Sequence, residues 1–314
     1  MDVTIAICTW NRAELLAQTL ERMTALIVPE GLAWEVLVVN NNCSDRTDQV
    51  IETFLGRLPL RRVFEGKPGL SHARNAAIAE ARGRWLLFTD DDVLVNLDWV
   101  SACLETAERF PAAAVIGGRI EPWFVAPPDP AIVAAFPIAR GGFCGLDRGD
   151  QERELDDTED VYGANMAFKA DSLRGLAFDA NLGVSPSSSM GGEETDFIRR
   201  VRSSGGQVVW SPRMRVEHYV DPARMTLPYL TRFYTDHART LVRLGNVPKG
   251  MMPPGPLWFG APRWLWRSTA SAYLRYAAAR VRRAPEALVR LREYCFLLGM
   301  LLERRAMSRQ SRTA

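Results

Sequence analysis

One stretch constrains the fold more than any other: Trp85-Leu86-Leu87-Phe88-Thr89-Asp90-Asp91-Asp92. An apolar run of strand length ends abruptly in three consecutive carboxylates. Such a run suits a strand buried on both faces, as in a parallel sheet. Open α/β sheets bind ligands in the crevice beyond the carboxyl ends of their strands, which is where these acids would lie. Like charges packed together are unfavourable unless something positive neutralises them, and a divalent metal is the simplest candidate. The competing reading is a turn with helix-capping acids, because Asp favours both.

The rest of the N-terminal half repeats the pattern. Val3 to Cys8 is a β-branched apolar run followed by Thr9-Trp10-Asn11-Arg12, and Leu15, Leu16, Leu20 and Met23 then fall at helical spacing. Asn11, with Glu14 three residues on, has the form of a capping box. Trp34 to Val39 predicts a second strand, closed by Asn40-Asn41-Asn42-Cys43-Ser44-Asp45, and Leu60 to Phe64 a third. The loop Gly66 to Leu70 leads into a helix carrying His72, Arg74 and Asn75, and Ala114 to Ile120 predicts a further strand. Strands alternating with helices in this way indicate βαβ units joined right-handedly. Residues 121–160 are a Pro/Gly-rich insertion, and Val161 to Lys169 is expected as a strand. Gly191-Gly192 opens a helix with Glu193-Glu194-Thr195-Asp196, and two short strands follow, at 208–210 and 214–218. Beyond Leu227 the chain is expected to be mostly helical.

Charge separates the two ends. The whole chain carries a formal +2, but from Arg263 onward there are twelve Arg against three Glu, about +9, which leaves about −7 for the remainder. The body therefore does not resemble a nucleic-acid binder, whereas the tail suits an anionic surface. That tail reads either as helices packed on the body with solvated Arg faces or as an interfacial amphipathic anchor. Five dispersed cysteines without CxxC spacing argue against a zinc site or a disulfide framework and suit a reducing compartment. A strand pattern beginning at residue 3 and the lack of any apolar run near the ~18 residues of a membrane span predict a cytoplasmic protein, peripheral at the inner face of the cell membrane if the tail anchors.

Three further sites carry candidate chemistry. Glu193, Glu194 and Asp196 sit in a first helical turn, where acids also simply favour the macrodipole. Two adjacent carboxylates push one pKa upward, and a general base must reach a substrate hydroxyl. His218, after an apolar strand, is either a structural hydrogen-bonding residue or a metal ligand. Arg74 is either a surface charge or a bidentate phosphate clamp.

Taken in order, Ile5 to Arg12, Val38 to Asp45, Gly69 to Asn75, Thr89 to Asp92, Gly163-Ala164-Asn165 and Gly192 to Asp196 resemble the family 2 glycosyltransferases, over roughly residues 3 to 220. The resemblance implies an α/β GT-A (Rossmann-like) fold, with a mostly parallel central sheet flanked by helices and a helical basic C-terminal extension. It implies a catalytic domain over 1–225, with a nucleotide-binding half at 1–120 and an acceptor half at 121–225, and the extension over 226–314. The acidic triplet looks like the family's DxD motif, with Asp92 on a Mg²⁺ or Mn²⁺ ion and Asp90 near ribose or metal. His218 would complete the metal set, and Asp91 would lie on the donor side. Cys8, Thr9, Asn11, Arg12, Asn41 and Asp45 would line the nucleotide pocket, with Arg74 approaching uridine or phosphate. Glu194 falls where the family has its catalytic base, with Glu193 as competitor, and Asn165, Gly192 and Asp196 are acceptor-side candidates.

The implied activity is an inverting, metal-assisted transfer from a nucleotide-diphospho-sugar, UDP-linked by preference, to a hydroxyl of a glycan or lipid-linked acceptor. Asn40-Asn41 depart from the Asp-Asp of many members, and Glu stands where the base is usually Asp. There is no QxxRW motif, which argues against a processive synthase. A nucleotidyltransferase of the same fold would carry a Gly-rich basic loop after the first strand, and Thr9 to Arg12 has no glycine. A non-catalytic carbohydrate- or nucleotide-binding protein would tolerate loss of the acids, yet both acidic clusters are intact.

Overall fold

The computed structural model describes residues 1–128, 132, 140–183, 192–245, 247 and 250–313, with side chains to 309. Its contacts form two compact units, residues 1–123 with 144–219 and residues 124–143 with 220–314.

The first unit begins with four parallel strands, β1 (Val3–Thr9), β2 (Trp34–Asn40), β3 (Leu60–Phe64) and β4 (Trp85–Asp90). Helices α1 (Ala13–Met23), α2 (Thr47–Phe54) and α3 (Leu70–Glu80) connect them. The unit continues through β5 (Val93–Val95), α4 (Trp99–Arg109), β6 (Ala113–Trp123), β7 (Arg153–Glu154), β8 (Met166–Lys169), α5 (Glu193–Ser203) and β9 (Gln207–Tyr219). The sheet runs β3-β2-β1-β4-β8-β6-β9-β5, with β7 beside β9. β1, β2, β3, β4, β6 and β9 share one direction, while β5, β7 and β8 oppose it, so the sheet is mostly parallel. The central strands β1, β2 and β4 are sealed on both faces, which is why they read as continuous apolar runs rather than alternating ones.

Register sets the site. Cys8 lies opposite both Val39 and Asp90, and Thr9 opposite Asn40, so the carboxyl ends of three strands come level. β9 brings His218 opposite Val93, and the Tyr219 amide donates to the Asp92 carbonyl at 2.9 Å, which ties the triplet to a strand far along the sequence.

Three local expectations differ from what forms. The two short strands at 208–210 and 214–218 are one strand, β9, interrupted by a register slip against β6 between Gly118 and Arg119. Pro212 lies in that slip, where a residue without an amide hydrogen is tolerated. The strand expected from Val161 starts only at Met166, after a 3₁₀ turn at Gly163–Asn165. Asn11 does not cap α1: its φ is +53°, and its Oδ1 accepts from the Ser44 amide at 2.7 Å. The cap comes instead from Asp45, whose Oδ2 accepts from the Ala13 amide at 3.0 Å, while Glu14 pairs with Arg46 at 2.6 Å.

The second unit contains α6 (Leu227–Leu244), α7 (Arg263–Val281) and α8 (Ala287–Thr313), with a small hairpin of β10 (Leu257–Trp258) and β11 (Ala261–Pro262). Thr226 caps α6 by accepting from the Tyr229 amide, with Pro228 in the first turn. α8 crosses α6 at Gly299, where an added Cβ would lie 2.2 Å from the Thr235 carbonyl, so only glycine allows that approach. Glu303, 2% exposed, is held by Arg239 at 3.0 Å and Arg243 at 2.7 Å. Phe124, Ile132 and Phe143 pack with Leu230, Tyr234 and Leu291, so described residues of the Pro-rich insertion share a core with the C-terminal helices. The rest of that insertion up to residue 139 lies outside the described residues, as does Gly191. Among the described residues no helix is long and apolar enough to cross a membrane.

Candidate active site

The three acids at the end of β4 do not share one role. Asp90 and Asp92 face His218, whose Nε2 lies 3.7 Å from Asp90 Oδ2 and 3.5 Å from Asp92 Oδ1. One ligand atom from each of the three lies within 4.8 Å of the others. His218 Nδ1 is 2.9 Å from the Tyr219 carbonyl oxygen, which can only accept, so that nitrogen carries a proton and Nε2 is aimed at the acids. Asp91 turns the other way: its Oδ2 accepts from the Thr9 hydroxyl at 2.7 Å and its Oδ1 from Arg12 at 3.2 Å. The Thr19 hydroxyl, from the buried face of α1, donates to the Asp91 carbonyl at 2.9 Å and fixes the turn.

The charge balance follows from these contacts. Burial works to raise the Asp90 carboxyl, but the neighbouring His218 and Arg74 outweigh it, and the group lies below its ordinary value. Burial pushes Asp91 up to about 7, with Arg12 opposing and Asp92 assisting. His218 is desolvated, which lowers it, yet Cys144, Asp92 and Asp90 together hold it well above its ordinary value. Asp92 Oδ1 is buried and has no hydrogen-bond partner. An orphaned carboxylate oxygen facing a second carboxylate and an imidazole is a donor set that fits Mg²⁺ or Mn²⁺.

A second cluster is built around Arg74, on α3. Its guanidinium is 2% exposed and donates to Glu193 Oε1 at 2.8 Å and Glu194 Oε1 at 3.1 Å, while Nη2 lies 4.0 Å from Asp90 Oδ1. It also lies 5.5 Å over the Phe178 ring. The sequence leaves Arg74 open as a phosphate clamp; the structure commits its donors to carboxylates. The two glutamates open α5 after Gly192, whose φ is +108°. Glu193 is 3% exposed at its side chain and Glu194 22%. Burial first, then the neighbouring Glu194, pushes Glu193 up to about 7 against the pull of Arg74. The Gly163 amide donates to Glu194 Oε1 at 3.1 Å, and a Cβ at 163 would meet Arg74 Nη2 at 1.9 Å. That requirement for a bare backbone is not visible in the sequence; Gly163 stands out there only within its three-residue motif.

The expected nucleotide-pocket residues gather at the ends of β1 and β2. Arg12 is 45% exposed at its side chain and reaches Asp92 Oδ2 at 2.8 Å. Cys8 is half-buried, and desolvation pushes its thiol up to about 12. Asn41 donates to the Glu65 and Lys67 carbonyls at 3.1 and 2.7 Å and accepts from the Gly69 amide at 2.9 Å, so it clasps the loop before α3. Asn40 donates to Asp48 at 2.6 Å. Aspartates at 40 and 41 could make neither set of donor contacts, which gives the Asn-Asn departure a local physical reason.

Two acceptor-side candidates are engaged inside the fold. Asn165 is fully buried: it donates to the Arg119 and Met214 carbonyls at 2.9 and 2.7 Å and accepts from the Trp99 indole at 2.8 Å. Its amide therefore pins β6, β9 and α4 together. Asp196 pairs with Arg199 and Arg200 on its own helix, at 2.7 and 2.9 Å. Gly192 accepts from the Asp196 amide at 3.0 Å, as the first carbonyl of α5.

Residues 4–122 match the family model described as Glycosyl transferase family 2. Over 242 residues the chain is 29% identical to the succinoglycan biosynthesis protein ExoM of Rhizobium meliloti (strain 1021), covering 74% of this chain and 71% of that protein. The structure superposes on the mannosyltransferase PcManGT of Pyrobaculum calidifontis, in complex with GDP-Man and Mn²⁺, with a TM-score of 0.62 at 18% identity, over 96% of this chain and 86% of that one. Against TarS of Staphylococcus aureus the TM-score is 0.56 at 16% identity, covering 95% of this chain and 55% of that chain, so the match spans about half of TarS. TarS 1–349 in complex with UDP-GlcNAc gives a TM-score of 0.55 at 16% identity, over 99% of this chain and 92% of that segment. At these identities the structural likenesses speak to the fold.

Proposed function

We propose that the chain is a glycosyltransferase of family 2, an inverting enzyme with Glu194 as general base. It would move a sugar from a nucleotide-diphospho-sugar to a hydroxyl of a glycan or lipid-linked acceptor. One observation carries this reading: a single buried guanidinium, Arg74, joins the glutamate pair to the acidic end of β4. Base and donor-end acids are thereby held at a fixed spacing, as a displacement between them requires.

Glu193 and Glu194 then divide the work. Glu193 is sealed against Arg74, so it holds the clamp; Glu194 keeps an exposed edge from which it reaches an acceptor hydroxyl. Glu194 takes the hydroxyl proton, the oxygen forms its bond to the anomeric carbon from the opposite face, and the nucleoside diphosphate leaves with the electrons of the old bond. That single displacement inverts the anomeric centre. Asp90, Asp92 and His218 would hold Mg²⁺ or Mn²⁺, which when bound supplies Lewis-acid charge for the departing diphosphate. Thr9, Asn11 and Arg12 line the donor side. Solved structures of this fold carry either UDP-GlcNAc or GDP-Man, so the UDP preference rests on the motif resemblance. The Arg-rich C-terminal helices, about +9 by sequence, suit an anionic membrane surface, which a lipid-linked acceptor would make useful.

Glu194→Gln tests the assignment. Transfer should fall by roughly 10²–10⁴-fold, the usual weight of a general base, with donor binding in Mn²⁺ unchanged by calorimetry. Full transfer by this variant refutes the role of Glu194. Loss of donor binding would instead place it in the donor pocket.

A further inference from the structure

We infer that the hairpin edge of the helical unit is a docking surface for an anionic lipid bilayer. Leu257, Trp258 and Phe259 enter at headgroup depth, and Arg304 meets lipid phosphate. This rests on the membrane part of the reading above and is independent of the catalytic assignment.

The hairpin turn is the first observation. β10 and β11 are joined by Phe259 and Gly260, both at positive φ, +48° and +85°. Two-residue turns of this kind favour Asn, Asp or Gly at both positions, and a bulky side chain there carries backbone strain. Burial does not repay the strain: Phe259 is 71% exposed, Leu257 64% and Trp258 53%. A strained aromatic displayed to solvent points to a use at the tip.

The tip is also rigidly presented. The Trp266 indole donates to the Trp258 carbonyl at 2.7 Å, and the Phe259 ring lies 5.4 Å from Trp258 and 6.1 Å from Trp266. A Cβ at Gly260 would lie 3.2 Å from Ser308 on α8, so the turn rests directly on that helix. Aromatic residues with an apolar body and a polar edge settle at the lipid headgroup level.

Charge beside the tip identifies the partner. Arg305 stacks on Trp266 at 5.1 Å. Arg304, its neighbour on α8, forms no ion pair or hydrogen bond among the described residues. It shares with Arg243, Val242, Val247, Met252 and Met307 a cavity of about 530 Å³, with guanidinium groups beside apolar walls. Met251 and Met307 add exposed apolar surface, at 52% and 38%. Polar headgroup phosphate over acyl carbon has the matching order of chemistry, and residues from Arg263 onward carry about +9 to attract it. The larger apolar faces of α6, α7 and α8 are used in the unit's own cores, among them Leu265, Leu291, Cys295 and Leu301.

Co-sedimentation of the full chain with phosphatidylcholine vesicles, with and without phosphatidylglycerol, tests the inference. Trp258→Ser with Phe259→Ser should weaken partitioning to the anionic vesicles roughly tenfold, and Arg304→Glu by about fivefold or more. Phe259→Gly, which relieves the turn strain and so keeps the fold, should also weaken it. Leu274→Ser, which alters an exposed apolar residue on α7 (66% exposed), should not. Wild-type partitioning by all the hairpin variants, or loss only in Leu274→Ser, overturns the hairpin surface while leaving membrane binding standing. Equal binding without phosphatidylglycerol overturns the anionic specificity. Failure of the wild type to bind any vesicle overturns the membrane reading itself.

Discussion

Two carboxylate clusters in the sheet unit are each clamped by an arginine, and they differ in how deeply the clamp is set. Arg12 binds Asp91 and Asp92 with 45% of its side chain exposed, whereas Arg74 binds Glu193 and Glu194 at 2%. Asp91 and Asp92 are themselves buried, but the exposed guanidinium loses little on swinging into water, so a cation arriving at Asp92 can take its place. A sealed guanidinium cannot leave without stranding buried acids. The first cluster is thus suited to exchange one positive charge for another, and it keeps an orphan oxygen on Asp92. The second is suited to hold a fixed geometry.

Stability measurements can break this contrast. Arg74→Met should cost about 3–5 kcal/mol in urea unfolding, the typical penalty for removing one partner of a buried ion pair. An equal loss in Arg12→Ala would show that the clamps do not differ. Gly163→Ala probes the fixed geometry more gently. Its methyl group would sit 1.9 Å from Arg74 Nη2 and 2.5 Å from Glu194 Oε1, so one of them must move. Transfer should drop about 10²-fold with donor affinity kept, the scale expected for roughly an ångström of misplacement; unchanged kcat would show that the spacing is not critical.

A pH series sharpens the contrast from the side of Glu193. Its folded pKa of about 7 lies above the ordinary 4.5, so the folded state holds the proton more tightly than the unfolded chain. Its contribution to stability is intact below the ordinary value and is lost as pH rises through about 7. The melting temperature should therefore decline across that window less in Glu193→Gln than in the wild type, and identical slopes would remove Glu193 as the cause. The smallest effect is expected for Arg12→Ala, a loss below that of Arg74→Met, with the Mn²⁺-induced rise in melting temperature kept or enlarged. A lost Mn²⁺ response would make Arg12 part of the binding set instead of a displaceable counter-charge.

Much of this was legible along the chain because strand and helix periodicity is local. The runs at Val3, Trp34 and Trp85 form β1, β2 and β4, and the acids end β4 as expected. Local rules failed where a distant residue supplied the partner. Asn11 looked like the cap of α1, yet Asp45 takes that role, and Asn41 is occupied by the loop carbonyls of Glu65 and Lys67. Asn165 reads as an acceptor-side candidate, yet its amide is engaged by Trp99, Arg119 and Met214. Only the motif resemblance separates Asp91 from its neighbours; the physical cause, the direction of the turn fixed by Thr19, is tertiary.

The sequence by itself therefore determined the order of strands and helices, the two acidic clusters and the basic tail, since each depends on residues near one another in the chain. Tertiary structure alone decided which glutamate is sealed and which keeps an exposed edge, and that one arginine joins the two clusters. Those outcomes depend on burial and on contacts spanning about a hundred residues, such as Arg74 with Glu193, and no local pattern encodes which way a side chain turns when the sheet closes.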